Sequence, residues 1–192
     1  MKIKKIVILG FLTLSLFTGC GDKDKTEENT VTQVNKEIIP QFNFITTTGK
    51  AITISAHKDG WKFTGLENKV VLLSFFGTWC PPCKAEIPHL NNIKSKLEKN
   101  FEILAVDVGP RSGGLNSKEH LADFIVEFDL KYPVISGEVA KKLFAAVSEL
   151  NPNGSIPFMI LFNKQGQYVK YYVGMQAEEM LYNDIRTTIK MK

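Results

Sequence analysis

The order of apolar and polar residues divides this 192-residue chain into three regions. Residues 6–17 are mostly apolar, residues 21–37 are mostly polar or charged, and from Phe42 onward short apolar runs alternate with polar turns. A polar stretch of that composition cannot bury enough apolar surface to fold. We therefore predict a leader over residues 1–19, a tether over residues 20–40 and one folded domain over residues 41–192.

Within the predicted domain, the apolar runs have the length and spacing of strands. Residues 70–76 read Val-Val-Leu-Leu-Ser-Phe-Phe, and a continuous run of this kind predicts a central strand buried on both faces. Hairpins are predicted over residues 42–56, around a turn at residues 48–50, and over residues 158–173, around a turn at residues 163–166. Two more strands are predicted over residues 101–108 and 132–135.

Helical spacing appears between these strands. Residues 84–99 place Ile87, Leu90, Ile93 and Leu97 on one stripe, opposite lysines. Ser117 is a suitable N-cap for a helix that ends near residue 128, and further helices are predicted over residues 138–150 and 177–190. Strands and helices in this order predict an α/β fold, a mixed sheet covered by helices on both faces.

The leader has the features of an export signal. A basic start precedes an apolar core that is shorter than the roughly 20 residues of a bilayer span. The residues Thr18-Gly19-Cys20 resemble the bacterial lipoprotein signal, in which the cysteine is lipidated and becomes the first mature residue. We predict a lipid anchor at Cys20 and an extracytoplasmic location, periplasmic if the cell has two membranes. The alternative is an ordinary secretory signal, or a short anchor, that ends in cysteine.

Charge gives little support for a nucleic-acid partner. The chain has 24 basic and 20 acidic residues, and removal of Lys2, Lys4 and Lys5 with the leader leaves 21 basic residues. A nearly neutral mature chain lacks the basic excess that nucleic-acid binding requires. We predict that nucleic acid is not a partner.

The candidate chemistry lies at Cys80 and Cys83, where a predicted strand runs into a predicted helix. Side chains three residues apart in a first helical turn lie close enough for a disulfide. Unpaired N–H groups and the helix dipole stabilise a thiolate there, so Cys80 is the expected nucleophile and Cys83 the resolving thiol. Pro81 suits the first helical position, and Trp79 would shield the sulfur and offer a partner an apolar contact.

Two other interpretations of the cysteine pair are a structural zinc site and an inert disulfide. A structural zinc site needs four ligands, but the chain has no second close cysteine pair, and His57, His89 and His120 are scattered. A disulfide between residues three apart closes too small a loop to stabilise the fold much. We predict neither a metal nor an organic cofactor.

Residues 76–88, Phe-Gly-Thr-Trp-Cys-Pro-Pro-Cys-Lys-Ala-Glu-Ile-Pro, resemble the thioredoxin-like TlpA/ResA/CcmG family of extracytoplasmic thiol–disulfide oxidoreductases. The likeness extends from about Pro40 to the C-terminus and includes the spacing to Ser155-Ile156-Pro157-Phe158. It implies a thioredoxin-like fold, tethering outside the cytoplasm and the reduction of disulfides. In several members the reduction serves cytochrome c maturation.

The resemblance also implies roles for individual residues. Cys80 matches the attacking cysteine and Cys83 the resolving one. Pro157 matches the cis-proline that holds a substrate chain, with Ile156 beside it in the same segment. The alternative for Pro157 is a trans proline that opens a strand.

Glu86 matches an acidic residue of the family that is proposed to move protons at the thiols. Thioredoxin itself has a buried acid six residues before its first cysteine, and here that position is Ser74. The alternative for Glu86 is a water-exposed helix residue favoured by the first-turn dipole.

Three functional hypotheses follow. The first is a dedicated reductase of exported proteins such as apocytochrome c, reset by an integral-membrane electron donor. The second is a general extracytoplasmic disulfide reductase or oxidase. The third is a copper-binding cytochrome oxidase assembly factor, which needs a longer cysteine spacing and a distal histidine that this sequence lacks.

Overall fold

The computed structural model describes residues 40–191 of the chain. The predicted leader over residues 1–19, Cys20 and the tether up to residue 39 lie outside the described residues, as does Lys192.

The described strands form two sheets. Three antiparallel strands make the first sheet: β1 (Gln41–Ile45), β2 (Ala51–His57) and β3 (Gly60–Thr64). The second sheet is built from β4 (Val70–Phe76), β5 (Phe101–Asp107), β6 (Val134–Ile135), β7 (Phe158–Phe162) and β8 (Tyr168–Val173). Its order is β6-β5-β4-β7-β8, with β4, β5 and β6 parallel and β7 and β8 joined antiparallel. The predicted α/β class with a mixed sheet is confirmed.

Four helices pack on the five-stranded sheet: α1 (Pro81–Leu97), α2 (Lys118–Glu127), α3 (Glu138–Ala146) and α4 (Glu178–Lys190). Ser117 caps α2, as predicted, because its hydroxyl accepts from the His120 N–H at 3.1 Å. None of the helices within residues 40–191 is long and apolar enough to cross a membrane.

The central strand β4 contributes to two separate hydrophobic cores. Val70, Leu72 and Phe76 pack in one core with α1, α2 and α4. Val71, Leu73 and Phe75 point the other way, into a core with α3 and the three-stranded sheet. Since successive side chains of a strand face opposite sides, a strand buried on both faces needs the continuous apolar run seen in the sequence.

Strand β3 was not predicted, so the N-terminal hairpin is in fact a three-stranded sheet. Its sequence, Gly-Trp-Lys-Phe-Thr, has only two large apolar residues, which is a weak strand signal. Those two residues supply the missing stabilisation, because the rings of Trp61 and Phe63 lie 5.3 and 5.1 Å from the ring of Phe162 in β7. Tertiary packing therefore decides the conformation of this segment.

Two predicted helix ends also differ from the structure. Helix α1 begins at Pro81, the residue expected at its first position, with Cys80 as the N-cap, but it ends at Leu97 rather than at residue 99. Helix α3 ends at Ala146 rather than at residue 150, and its last residues continue as turns.

Candidate active site

The junction between β4 and α1 places Cys80 and Cys83 at the start of a helix. Cys80 is the N-cap residue with an extended backbone, φ −92° and ψ 106°, and Pro81 follows in the first turn. The two cysteines are joined as a disulfide, with their Cα atoms 5.2 Å apart. The Cys83 N–H points at the Cys80 Sγ at 3.3 Å.

This geometry stabilises negative charge on the sulfur of Cys80. Once the disulfide is reduced, the thiolate would accept the Cys83 N–H and lie at the positive end of the α1 dipole. Cysteines in such positions ionise more readily than free cysteine. Both residues are largely covered, Cys80 being 2% and Cys83 3% exposed.

A cis peptide bond lies opposite the cysteines. The Ile156–Pro157 bond is cis, which excludes the trans alternative for Pro157, and the Ile156 carbonyl oxygen lies 3.8 Å from the Cys80 Sγ. The segment is anchored at both ends, since the Asn151 side chain bonds both backbone groups of Ser155 and the Gly174 N–H donates to the Pro157 carbonyl at 2.8 Å. The backbone beside the Cys80 sulfur is therefore held by hydrogen bonds before and after the cis bond.

Trp79 precedes Cys80 and is partly exposed. Its indole N–H donates to the Gly109 carbonyl at 2.9 Å, and the residue is 38% exposed. The ring packs closely on Gly77, where an added Cβ would lie 2.8 Å from the Trp79 Nε1. The composition of the loop over residues 109–116 predicts a mobile surface connection, with a position beside the site and a part in choosing partners as the alternative, and in the structure its Gly109 carbonyl accepts from the Trp79 indole.

Glu86 is buried beneath the cysteine pair and is only 1% exposed, so the water-exposed alternative is wrong. Its Oε1 accepts from the Gln176 N–H at 3.0 Å. Burial raises the pKa of Glu86 to about 7, because desolvation outweighs the Gln176 hydrogen bond and the attraction of His89, which both act to lower it. A small cavity brings this carboxyl together with Ser74, Cys83, Tyr132 and Pro157.

One further titratable group near the site, Asp107, was not predicted from the sequence. Asp107, at the end of β5, is 3% exposed and accepts from the Gly109 N–H and from the Asn116 side-chain amide, each at 3.0 Å. Burial raises the pKa of Asp107, while those hydrogen bonds and His120 act in the opposite direction. An acid that directly follows an apolar strand is the signal that would have identified it.

His89 and His120 each lie beside a single polar side chain and, among the described residues, not in a cluster of metal-binding groups. His89 lies on the outside of α1 with its Nδ1 3.0 Å from the Glu178 carboxylate, and the His120 Nε2 lies 3.0 Å from the Thr78 hydroxyl. Within residues 40–191, no group of three or more His, Cys, Asp or Glu side chains is arranged to hold a metal ion.

A Cys-Pro-Pro-Cys segment that caps a helix, faces a cis-proline and lies at the end of a central strand defines a thiol–disulfide oxidoreductase of the thioredoxin fold. The chain belongs to the Redoxin family, whose model matches residues 33–185. The family resemblance found in residues 76–88 is thereby confirmed, and so is the prediction of an oxidoreductase.

Relatives of known name agree with this assignment. The chain is 31% identical over 178 residues to a thiol-disulfide oxidoreductase ResA of Bacillus cereus, covering 92% of this chain and 87% of the relative. It is 32% identical over 145 residues to ResA of Bacillus subtilis, covering 75% of this chain and 70% of the relative.

Solved structures show the same fold. A secreted thiol-disulfide isomerase from Corynebacterium glutamicum has a TM-score of 0.63 at 21% identity, with 80% of this chain and 86% of that one covered. StoA from Bacillus subtilis has a TM-score of 0.56 at 21% identity, with 76% and 96% covered. At these identities the structures establish the thioredoxin-like fold alone.

Proposed function

We propose that this thiol–disulfide oxidoreductase is a lipid-anchored, extracytoplasmic reductase of disulfides in exported proteins. The observation that carries the proposal is the position of the Cys80 sulfur, which has an N–H donor at 3.3 Å on one side and the cis peptide of Ile156 at 3.8 Å on the other. A nucleophilic sulfur beside a fixed backbone edge is suited to attack on a disulfide in an extended chain.

The proposed cycle is balanced over two exchanges. The Cys80 thiolate attacks one sulfur of the substrate disulfide, forms a mixed disulfide and expels the other substrate sulfur as a thiolate. The Cys83 thiolate then attacks the Cys80 sulfur, which releases the second substrate thiol and forms the Cys80–Cys83 disulfide. An integral-membrane dithiol carrier is the proposed donor of the two electrons that restore the reduced pair.

Glu86 is proposed to accept the proton that Cys83 loses when it attacks. The carboxyl lines the same small cavity as Cys83, and its pKa of about 7 lets it gain and lose a proton near neutral pH. Thioredoxin uses an acid at the position of Ser74 for proton transfer, and Glu86 takes that part here from the other side of the cavity.

The proposed substrate surface consists of Trp79, Pro81, Ile156 and Pro157. Trp79 offers an exposed ring beside Cys80, and Pro81 is exposed at the first position of α1. Ile156 and Pro157 supply the backbone edge that faces the sulfur. Together they accommodate an extended chain without requiring particular side chains, apart from a cysteine.

The proposed location depends on the sequence alone. The Thr18-Gly19-Cys20 motif supports lipidation at Cys20, and the polar residues that follow are suited to a flexible tether. With the anchor at the membrane surface, the domain would meet both a membrane electron carrier and newly exported proteins. Apocytochrome c is the specific substrate that we propose.

The proposed direction is reduction. Potentials on this fold range from about −270 mV for thioredoxin to about −120 mV for a strong oxidant. We expect equilibration with glutathione to give a value below about −200 mV for the Cys80–Cys83 couple. A value near about −120 mV would instead make the protein an oxidase.

A trapping experiment tests the proposed reaction and its substrate together. Cys83→Ala should stall the cycle at the mixed disulfide, so that Cys80 stays bonded to its natural partner in acid-quenched cells. The matched control is the Cys80→Ala, Cys83→Ala double variant, which should trap nothing. Apocytochromes among the adducts identified by mass spectrometry would support the dedicated reductase, and a broad range of exported proteins would support a general one. Equal recovery with both variants would contradict the proposed exchange.

A further inference from the structure

The loop between β5 and α2 holds a guanidinium group over the active-site tryptophan. The guanidinium carbon of Arg111 lies 5.6 Å from the centre of the Trp79 ring, in the range of a cation–π contact. Arg111 is exposed, and within the described part of the chain no acidic side chain lies within salt-bridge distance of it. A cation over the ring of Trp79, the residue that precedes Cys80, is therefore available to a partner.

The loop that carries Arg111 is fixed by contacts inside the protein. The buried Asp107 carboxylate accepts from the Gly109 N–H and from the Asn116 side chain, at the two ends of the loop. The Gly109 carbonyl in turn accepts from the Trp79 indole. A chain of hydrogen bonds thus runs from a buried carboxylate to the ring beside the nucleophile, and the loop needs no substrate to hold this position.

A second positive charge lies beside the cysteines in the sequence, whereas the nearby acids Glu86 and Asp107 are buried. Lys84 follows Cys83 directly, with its ammonium 5.0 Å from the centre of the Phe128 ring, and the first turn of α1 has no acidic residue. The planar guanidinium of Arg111 presents paired N–H donors that match a carboxylate. With the nearby acids buried, the exposed guanidinium of Arg111 complements an anionic substrate segment.

We propose that Arg111 is a specificity-determining residue that favours substrate disulfides flanked by an aspartate or a glutamate. The inference rests on the proposed function and adds a substrate class to it. Trp79 and the cis-proline segment accept the chain on both sides of the sulfur, and Arg111 pairs with a carboxylate carried by the residue next to the attacked cysteine. Since the pair is exposed to solvent, its effect should decline as ionic strength rises.

The test compares two symmetric peptide disulfides that differ only by Glu or Gln next to the cysteine. Reduction by the full-length, pre-reduced protein is followed at low salt, and each rate is divided by the rate with dithiothreitol to remove intrinsic reactivity. We expect wild type to favour the Glu peptide by about two- to fivefold, the size of one exposed charge pair. Arg111→Gln should lose the preference, and Arg111→Lys should keep part of it.

Arg186→Gln is the matched control, because Arg186 is likewise exposed and lies 5.9 Å from the centre of an aromatic ring, that of Tyr182 in α4. It removes the same charge away from the cysteines and should leave the preference intact. An equal Glu-to-Gln ratio in wild type and Arg111→Gln overturns the inference and leaves the proposed function standing. If wild type reduces neither peptide, the proposed function fails and the inference fails with it.

Discussion

At the scale of single residues, Glu86 is a carboxyl in an environment very different from water. A carboxyl that is 1% exposed keeps one backbone hydrogen-bond donor, the Gln176 N–H, and loses its hydration. Desolvation therefore favours the neutral acid, and the folded protein holds a proton that the unfolded chain releases at lower pH. This difference links stability to pH.

The first prediction concerns the stability of Glu86→Gln in the oxidised protein, in which the cysteines do not titrate. The pKa of Glu86 is about 7 in the folded protein and 4.5 ordinarily. Its contribution to the free energy of unfolding is therefore fully present below pH 4.5 and is lost as pH rises through 7. We expect the variant to gain up to about 3 kcal/mol over wild type between about pH 4.5 and pH 8.

Urea unfolding at several pH values measures this gain. The control is Glu127→Gln on the exposed surface of α2, for which the difference from wild type should stay constant with pH. A constant difference for Glu86→Gln as well would mean that Glu86 is ionised in the folded protein throughout this range.

At the scale of elements, the loop after β5 has a conformation that its glycines make possible. Gly109 has a φ of +87°, and a Cβ at this position would lie 2.5 Å from the Gly114 carbonyl oxygen. Gly113 has nearly the same φ, +88°, but nothing lies within 4 Å of its Cβ position. The two glycines therefore separate the cost of a left-handed backbone from the cost of close packing.

We predict that Gly113→Ala loses about 1 kcal/mol, the cost of a left-handed alanine. Gly109→Ala should lose about 1 to 3 kcal/mol more, because the loop must open to relieve the overlap with Gly114. It should also shift the fluorescence of Trp79, whose indole bonds the Gly109 carbonyl. Thermal unfolding and emission spectra in a Trp61→Phe background measure both effects, and equal losses in the two variants would contradict the packing argument.

Local sequence patterns predicted some elements of the structure and missed those that depend on residues far apart in the chain. The apolar run of β4 and the Cys80–Cys83 spacing were sufficient to locate the central strand, the helix start and the cysteine pair. The burial of Glu86 was not predictable, because it depends on Gln176, 90 residues further along the chain. Strand β3 was missed for a related reason, since it depends on pairing with β2 and on the packing of Trp61 and Phe63 against the distant Phe162.

At the scale of the whole molecule, the two sheets are joined by a close backbone approach. The Trp61 N–H donates to the Gly166 carbonyl at 2.7 Å, which ties β3 to the turn between β7 and β8. A Cβ on Gly166, whose φ is +77°, would overlap the Trp61 carbonyl. Because β4 supplies side chains to both cores, separation of the sheets on one side also removes contacts from the strand that carries the site.

We predict that Gly166→Ala destabilises the protein by about 3 kcal/mol or more, through strain and loss of the contact between sheets. Gly49→Ala is the control, with a φ of +79° and nothing within 4 Å of its Cβ position, and should lose about 1 kcal/mol. Calorimetry should still show one transition, at a lower temperature, because the cores share β4. Two separated transitions would show that the sheets unfold independently.

Strand β8 has a consequence for the protein in concentrated solution. Within residues 40–191 it pairs on one side only, with β7, and its sequence Tyr-Val-Lys-Tyr-Tyr-Val is rich in residues that favour strands. An open edge of this kind is a template for a strand of another molecule, which leads to aggregation. Lys170 places a charge in the middle of the edge, and its ion pair with Asp184 at 2.9 Å holds it there. Because a charged residue in an edge strand opposes edge-to-edge pairing, we expect the colloidal stability of the protein to depend on a lysine that is separate from the redox chemistry.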